Sequence, residues 1–290
     1  MSKKAWLGAV VLFFVWGFVM HTTGLLLHEF GGHALASRIF GCGIDGYKLT
    51  FFGHGQVHYA PCTRWTSSTI LVADWAGLAL TAGAGLVAAV VVRRPRLSPM
   101  ARLLVALVAF FFLLGQLGYA TSGGFHDLYD PGRTARRLGA RGLHVLAWLP
   151  ALVAYAAASF FGARAAVDAF REHFGTRTRL HGLRQLASTL GVAGVLYFAA
   201  FRIEWQLRRD MEMRGVAAEA ERIAVARHGP KPFPIEHVLL AVAVVAVIYA
   251  LARPVNAAAQ ASAPSRRLRT VVATSAAICF VTLALLIARA

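Results

Sequence analysis

The stretch LLLHEFGGHALASRIFG, residues 25–41, places two histidines and a glutamate at the end of a long apolar run. In the metal-binding pattern H-E-x-x-H the histidines are four residues apart, so both side chains lie on one face of an α-helix and reach one ion. His28 and His33 are five residues apart, and an ideal α-helix would point them roughly 140° apart. A π-bulge widens one turn by one residue and would restore the common face, and Gly31 and Gly32 make that deformation cheap.

An acidic residue inside an apolar segment is costly unless it is paired or close to a metal, so Glu29 marks a candidate functional site. The pattern predicts His28 and His33 as ligands of Zn²⁺ and Glu29 as the general base that addresses the metal-bound water. The alternative is that these residues are simply polar side chains at a helix end near the membrane interface.

A third protein ligand is needed if the fourth position is to stay open for water. The segment TSGGFHDLYDPGR, residues 121–133, supplies candidates at the end of the third apolar run. We predict Asp127, because an acidic residue after a Gly-Gly break can lean into a helix bundle. Asp130 and His126 are the alternatives, although Asp130 directly precedes Pro131 and fits the N-cap of a following helix equally well.

Other polar residues near the apolar runs have less specific interpretations. Asp74 is either a ligand or partner of a metal-bound histidine, or an interfacial side chain. His21 shares a helix face with His28 and is read as a core histidine rather than a ligand. His54 and His58 would lie on one side of a strand and are read as surface histidines, with a place at the entrance to the site as the alternative.

The composition predicts a membrane protein. The chain of 290 residues is 58% hydrophobic and 15% charged, with a mean hydropathy of +0.58. We predict an all-α polytopic membrane protein with about seven transmembrane helices, the first of which is retained rather than cleaved as a signal peptide. Their approximate ranges are 5–27, 70–92, 103–120, 143–161, 186–201, 237–251 and 271–287.

The formal charge of +17 does not indicate a nucleic-acid partner. The arginines lie in short loops between apolar runs, where contact with lipid headgroups and membrane topology explain them. Summed over alternate loops of the whole chain, Lys and Arg are balanced, so this count does not fix the orientation.

A short β-hairpin at the membrane surface is predicted after the first helix, within GIDGYKLTFFGHGQVHYAPC, residues 43–62, because glycines alternate there with β-forming residues. Cys42 and Cys62 flank it. We interpret them as unpaired, since a disulfide requires that the loop face an oxidising compartment. The charged stretch 204–234 is interpreted as a loop with a solvated helix that ends near Gly229.

The first part of the chain resembles the site-2-protease class of intramembrane zinc metalloproteases, the M50 peptidases and their M50B-like relatives. The resemblance is carried by LLLHEFGGHALASRIFG, then YKLTFFGHGQVHY, then the small residues of WAGLALTAGAGL, then a third span followed by an aspartate. It implies a membrane core of three spans and a hairpin over residues 1–135, with an additional four-span region over 136–290.

The same resemblance implies that His28, His33 and Asp127 bind zinc and that Glu29 is the general base. It further implies a transmembrane or membrane-anchored protein substrate, a location in the inner cell membrane, and a site that opens toward the cytoplasm. The chain departs from the family in the extra residue of the motif, in the lack of an Asp-Gly pair at the third ligand, and in Thr81 where many relatives have asparagine.

Two other functions remain open from the sequence. Membrane di-iron desaturases and hydroxylases use histidine boxes, and the pairs His28–His33 and His54–His58 have comparable spacings, but the chain has no H-x-x-H-H box. A non-catalytic membrane scaffold would follow if the extra residue abolished metal binding.

Overall fold

A computed structural model describes residues 3–94, 96–125, 130–132, 144–175, 178–208 and 266–289. These residues are mostly helical, with one small antiparallel sheet. The elements in chain order are α1 (Lys3–Leu26), a π-helix (Leu27–Ala34), α2 (Leu35–Ile39), β1 (Ile44–Leu49), β2 (Gly55–Tyr59), α3 (Ser67–Val91), α4 (Pro99–Phe125), α5 (His144–Phe174), α6 (Arg179–Arg208) and α7 (Arg266–Arg289).

Within the described ranges, six helices are long and apolar enough to cross a membrane, with α1, the π-helix and α2 forming one of them. The chain is therefore a multi-pass membrane protein with a small sheet, as the composition predicts. The predicted span at 237–251 lies outside the described residues.

The predicted widening of the first helix is confirmed. Residues Leu27–Ala34 form a π-helix, and the Leu35 N–H reaches the Phe30 carbonyl five residues back. The α-helical geometry on both sides continues without a break. α2 ends at Ile39, and Gly41 follows with a positive φ of 71°, a conformation that glycine adopts without strain.

The hairpin forms where it is predicted. β1 pairs with β2 in a register that sets Tyr47 opposite Val57 and Leu49 opposite Gly55. Cys42 and Cys62 form a disulfide at its base, with their Cα atoms 5.8 Å apart. The interpretation of these cysteines as unpaired was therefore wrong, because the antiparallel return of the chain brings both ends of the segment together.

The hairpin is not confined to the surface, contrary to the prediction. Its turn runs back along α1, where the Phe52 ring lies 5.5 Å from that of Phe18 and 6.4 Å from that of Phe14. The backbone N–H groups of Phe51 and Phe52 each donate to the Glu204 carboxylate of α6 at 2.7 Å. Amides among apolar helices need such partners because water is scarce there.

Several helices extend beyond their predicted ends, and α5, predicted over 143–161, continues to Phe174. α4 continues through the Gly123-Gly124 pair to Phe125, because glycines within a helix flanked by other helices are tolerated. α6 continues to Arg208, so the start of the stretch 204–234 is helical and packs on the hairpin instead of forming a loop. Residues 209–234 lie outside the described part of the chain.

The core lies between α1, α4 and α5, and α4 packs closely on both α3 and α5. Its fully buried side chains include Val10, Leu103, Leu107, Val167 and Phe170. α6 and α7 pack on α1, contribute Leu186, Ala193 and Val272 to the same core, and contact the hairpin. The π-helix is thus held between α3 and the sheet.

Candidate metal centre

Three side chains converge beside the π-helix. The Nε2 atoms of His28 and His33 lie 3.6 Å and 3.3 Å from Oδ2 of Asp130. One ligand atom from each residue lies within 4.8 Å of the others, and two of the three residues are buried. Among the described residues this is the one group of this composition that could hold a metal ion.

His33 is oriented by the backbone of α3. Its Nδ1 lies 2.7 Å from the Ala73 carbonyl oxygen, and because a carbonyl only accepts, Nδ1 carries the proton. The Tyr59 hydroxyl lies 3.1 Å from the same nitrogen. In the neutral ring, Nε2 then presents a lone pair toward the Asp130 carboxylate, an arrangement that a cation between them would stabilise and that metal-bound histidines commonly show.

Asp130 is oriented by α4. The Tyr119 hydroxyl donates to its Oδ2 at 2.9 Å, and the Tyr119 ring packs edge-on against the His28 ring, with centroids 5.8 Å apart. One tyrosine therefore contacts two of the three candidate ligands. A carboxylate that is hydrogen-bonded in this way keeps its oxygens pointed at the histidines.

Glu29 follows His28 in the π-helix and is 6% exposed. The backbone N–H of Val57 in β2 lies near the Glu29 carboxylate. A Cβ at Gly55 would come within 2.9 Å of the Glu29 Cγ, so the glycine lets the strand approach this side chain. The hairpin therefore forms one wall of the site, beside this carboxylate.

The π-helix and α3 touch at a pair of glycines. A Cβ on Gly32 would collide with the backbone of Gly77. A Cβ on Gly77 would lie 2.9 Å from both the His28 Cδ2 and the His33 Nε2. Small residues of this kind allow membrane helices to approach closely, and here the approach brings the Ala73 carbonyl to His33.

The donor set fits a divalent metal ion such as zinc: two imidazole nitrogens and one carboxylate oxygen, which together leave a position for water. Two of its members, His28 and His33, are the predicted ligands. The third, Asp130, is one of the two alternatives to Asp127 as third ligand. The first choice, Asp127, and the other alternative, His126, lie outside the described residues. Asp130 faces the histidines and Tyr119, so capping a helix is not its sole role.

The remaining polar candidates lie apart from this group. Asp74 is 1% exposed, so its side chain faces the protein interior, and it is adjacent to the Ala73 carbonyl that holds His33. The His21 ring packs against Tyr197, while His54 and His58 are exposed on the hairpin. The Thr81 hydroxyl donates to the Gly77 carbonyl one turn earlier.

The sequence interpretation missed the residues that orient the ligands. Tyr119, Tyr59 and Gly77 are distant in the chain, and no spacing rule connects them to the motif. The one usable signal was the run of small residues in WAGLAL, which indicates a close helix contact without indicating its partner.

Comparison with known proteins assigns no family. No family model matches the chain, and neither does a curated protein or a solved structure. A functional assignment must therefore come from the chemistry of the site.

Proposed function

We propose that the protein is an intramembrane zinc metalloprotease in which His28, His33 and Asp130 hold the metal and Glu29 is the general base. The observation that carries this proposal is the convergence of the two histidines and the carboxylate across the π-helix. A zinc ion held there would supply a bound water that ionises near neutral pH and would polarise the scissile carbonyl.

The chain's own residues perform the proton transfers. Glu29 is next to His28 and buried, so its carboxylate takes a proton from the attacking water and delivers it to the leaving amine. The Val57 N–H lies near this carboxylate, on the side of the hairpin. Tyr119 and the Ala73 carbonyl hold the ligands in place and take no part in proton transfer.

The substrate is a transmembrane or membrane-anchored protein. A peptide bond within a helix is hydrogen-bonded and hidden from the attacking water. The helical segment of the substrate must therefore unwind before it is cut. The edge of β2 that β1 does not cover runs beside Glu29, and β-addition along this edge would hold an unwound segment at the site. We place the protein in the inner cell membrane, with residues 237–251 as a seventh span.

The two alternatives are less well supported. A di-iron enzyme would need a second group of ligands, and His54 and His58 are exposed on the hairpin. A scaffold without metal would leave His28 and His33 diverging, but their ring centroids lie 4.8 Å apart. The geometry therefore favours a mononuclear site.

The experiment compares membranes that contain the wild-type chain with membranes that contain Glu29→Gln. Glutamine keeps the size of the side chain but cannot accept the proton. We expect Glu29→Gln to keep the zinc content of wild type, measured by elemental analysis of the purified chains. We expect it to lose the protein N-termini that cleavage by the wild-type chain creates, mapped by mass spectrometry of the whole membrane fraction.

His33→Ala is the matched variant. We expect it to lose both the metal and the N-termini that cleavage creates. Identical N-termini in wild type and in a zinc-loaded Glu29→Gln chain would refute the proposed role of Glu29. Two irons per chain in place of one zinc would favour the di-iron alternative.

A further inference from the structure

The described helices give the molecule two distinct ends. The site end contains the histidines of the π-helix, Asp130 and the start of α3 at Ser67. The opposite end contains the start of α1 at Lys3, the end of α3 at Val91 and the start of α4 at Pro99. A membrane would separate these two ends, so each faces one compartment.

The site end carries a disulfide. Cys42 follows α2, Cys62 precedes α3, and their bond closes the base of the hairpin whose β2 strand contacts Glu29. Disulfides persist in oxidising compartments and are rare where thiols are kept reduced. A structural disulfide in this position therefore indicates that the site end faces an oxidising compartment.

The basic residues around the first three spans do not distinguish the two ends. The opposite end carries Lys3, Lys4, Arg93, Arg94, Arg96 and Arg102. Basic residues next to the first spans usually stay in the cytoplasm, so an excess on one side would indicate the orientation.

On the other side of the same spans, the sequence has Arg38, Lys48 and Arg64 before α3 and Arg133, Arg136, Arg137 and Arg141 after α4. Six and seven basic residues are nearly equal, so this count gives no orientation. The disulfide is therefore the observation that carries the inference.

We propose that the metal centre opens on the oxidising, outer side of the membrane, with the N-terminus in the cytoplasm. This is opposite to the orientation that the family resemblance implies. The substrates would be proteins whose cleavable segment is exposed at the outer face of the bilayer. The orientation stands on its own, whereas this substrate class rests on the proposed proteolytic function.

The test is cysteine labelling in intact spheroplasts with a membrane-impermeant sulfonated maleimide. Ser68→Cys at the site end and Ser98→Cys at the opposite end are each placed in a chain with Cys42→Ser, Cys62→Ser and Cys279→Ser. Both serines are exposed, and they lie at the starts of α3 and α4. We expect label on Ser68→Cys in intact spheroplasts and on Ser98→Cys only after permeabilisation.

A second measurement uses the unaltered chain, so it does not depend on the cysteine-free variant folding. Cells are quenched with acid, and accessible thiols of the denatured chain are coupled to polyethylene-glycol maleimide with and without prior reduction. We expect Cys279 alone to react before reduction and all three cysteines to react after it. Three reactive thiols without reduction, or label on Ser98→Cys alone in intact spheroplasts, would overturn the orientation.

Neither readout requires cleavage, so the orientation and the proposed protease activity can fail separately. Correct labelling without Glu29-dependent N-termini would leave the orientation intact and refute the protease. Glu29-dependent cuts at the cytoplasmic face would refute the outer-face substrate class.

Discussion

At the scale of single residues, the candidate ligands depend on neighbours that the metal would not touch. His33 is fixed through its Nδ1 by Ala73, and Asp130 through its Oδ2 by Tyr119. Contacts of this kind set the tautomer of an imidazole and the direction of a carboxylate. They explain how two histidines and an aspartate remain converged among apolar helices.

Tyr119→Phe tests this dependence. The ring is retained against His28, but the hydrogen bond to Asp130 is lost, and we expect zinc affinity to fall about 10- to 100-fold. Competition with a zinc chelator measures the change. Tyr47→Phe is the control, because its hydroxyl donates to the Leu286 carbonyl away from the metal group. Equal zinc affinity in Tyr119→Phe and wild type would remove Tyr119 from this role.

The sequence was sufficient to predict some of these residues. The motif identifies His28, Glu29 and His33 because their spacing requires only knowledge of helix geometry. It does not choose between Asp127 and Asp130, because that choice depends on how the chain turns after α4. Tyr119 could not be assigned a role, since its role comes from the meeting of α4 with the π-helix.

At the scale of elements, the contact between the π-helix and α3 determines the space at the site. The glycine pair Gly32 and Gly77 brings the two backbones together and leaves no volume for a side chain. The π-helix alone would align the histidines, but α3 supplies the carbonyl that orients one of them.

Gly77→Ala is expected to disrupt the metal centre. The new Cβ would lie 2.9 Å from the His33 Nε2 and 2.8 Å from the His28 backbone oxygen, so the helices must separate. We expect at least tenfold weaker zinc binding by chelator competition. Gly83→Ala in the same helix has no atom within 4 Å of its Cβ, and we expect its zinc affinity to match wild type. Equal losses in both variants would contradict the argument.

The hairpin turn depends on one side chain from α6. Glu204 accepts hydrogen bonds from two backbone amides, and such bonds to a charged group contribute about 1.5–3 kcal/mol each. In Glu204→Ala we expect the Phe51 and Phe52 amides to exchange with deuterium at least tenfold faster. Hydrogen-exchange mass spectrometry of this segment measures the effect, with Gln206→Ala as the exposed control on the same helix. Unchanged exchange in Glu204→Ala would show that the turn is held by other contacts.

At the scale of the whole molecule, local pattern predicted the spans and the hairpin, but not their arrangement. Apolar length identifies membrane helices because each must satisfy its own backbone. The hairpin returns along α1. Its contacts with α6 and α7 join residues more than 150 positions apart, as Phe51 and Glu204 do. The Cys42–Cys62 bond follows from the same return and was missed for the same reason.

The measurement that tests the central claim most directly is the metal content of the purified chain and its ligand variants. We expect about one zinc per chain in wild type, as the three-ligand site predicts, and none in His33→Ala or Asp130→Asn. Asp127→Asn is the matched control and should retain zinc. Wild type without stoichiometric metal, or Asp130→Asn with full zinc content, would contradict the account.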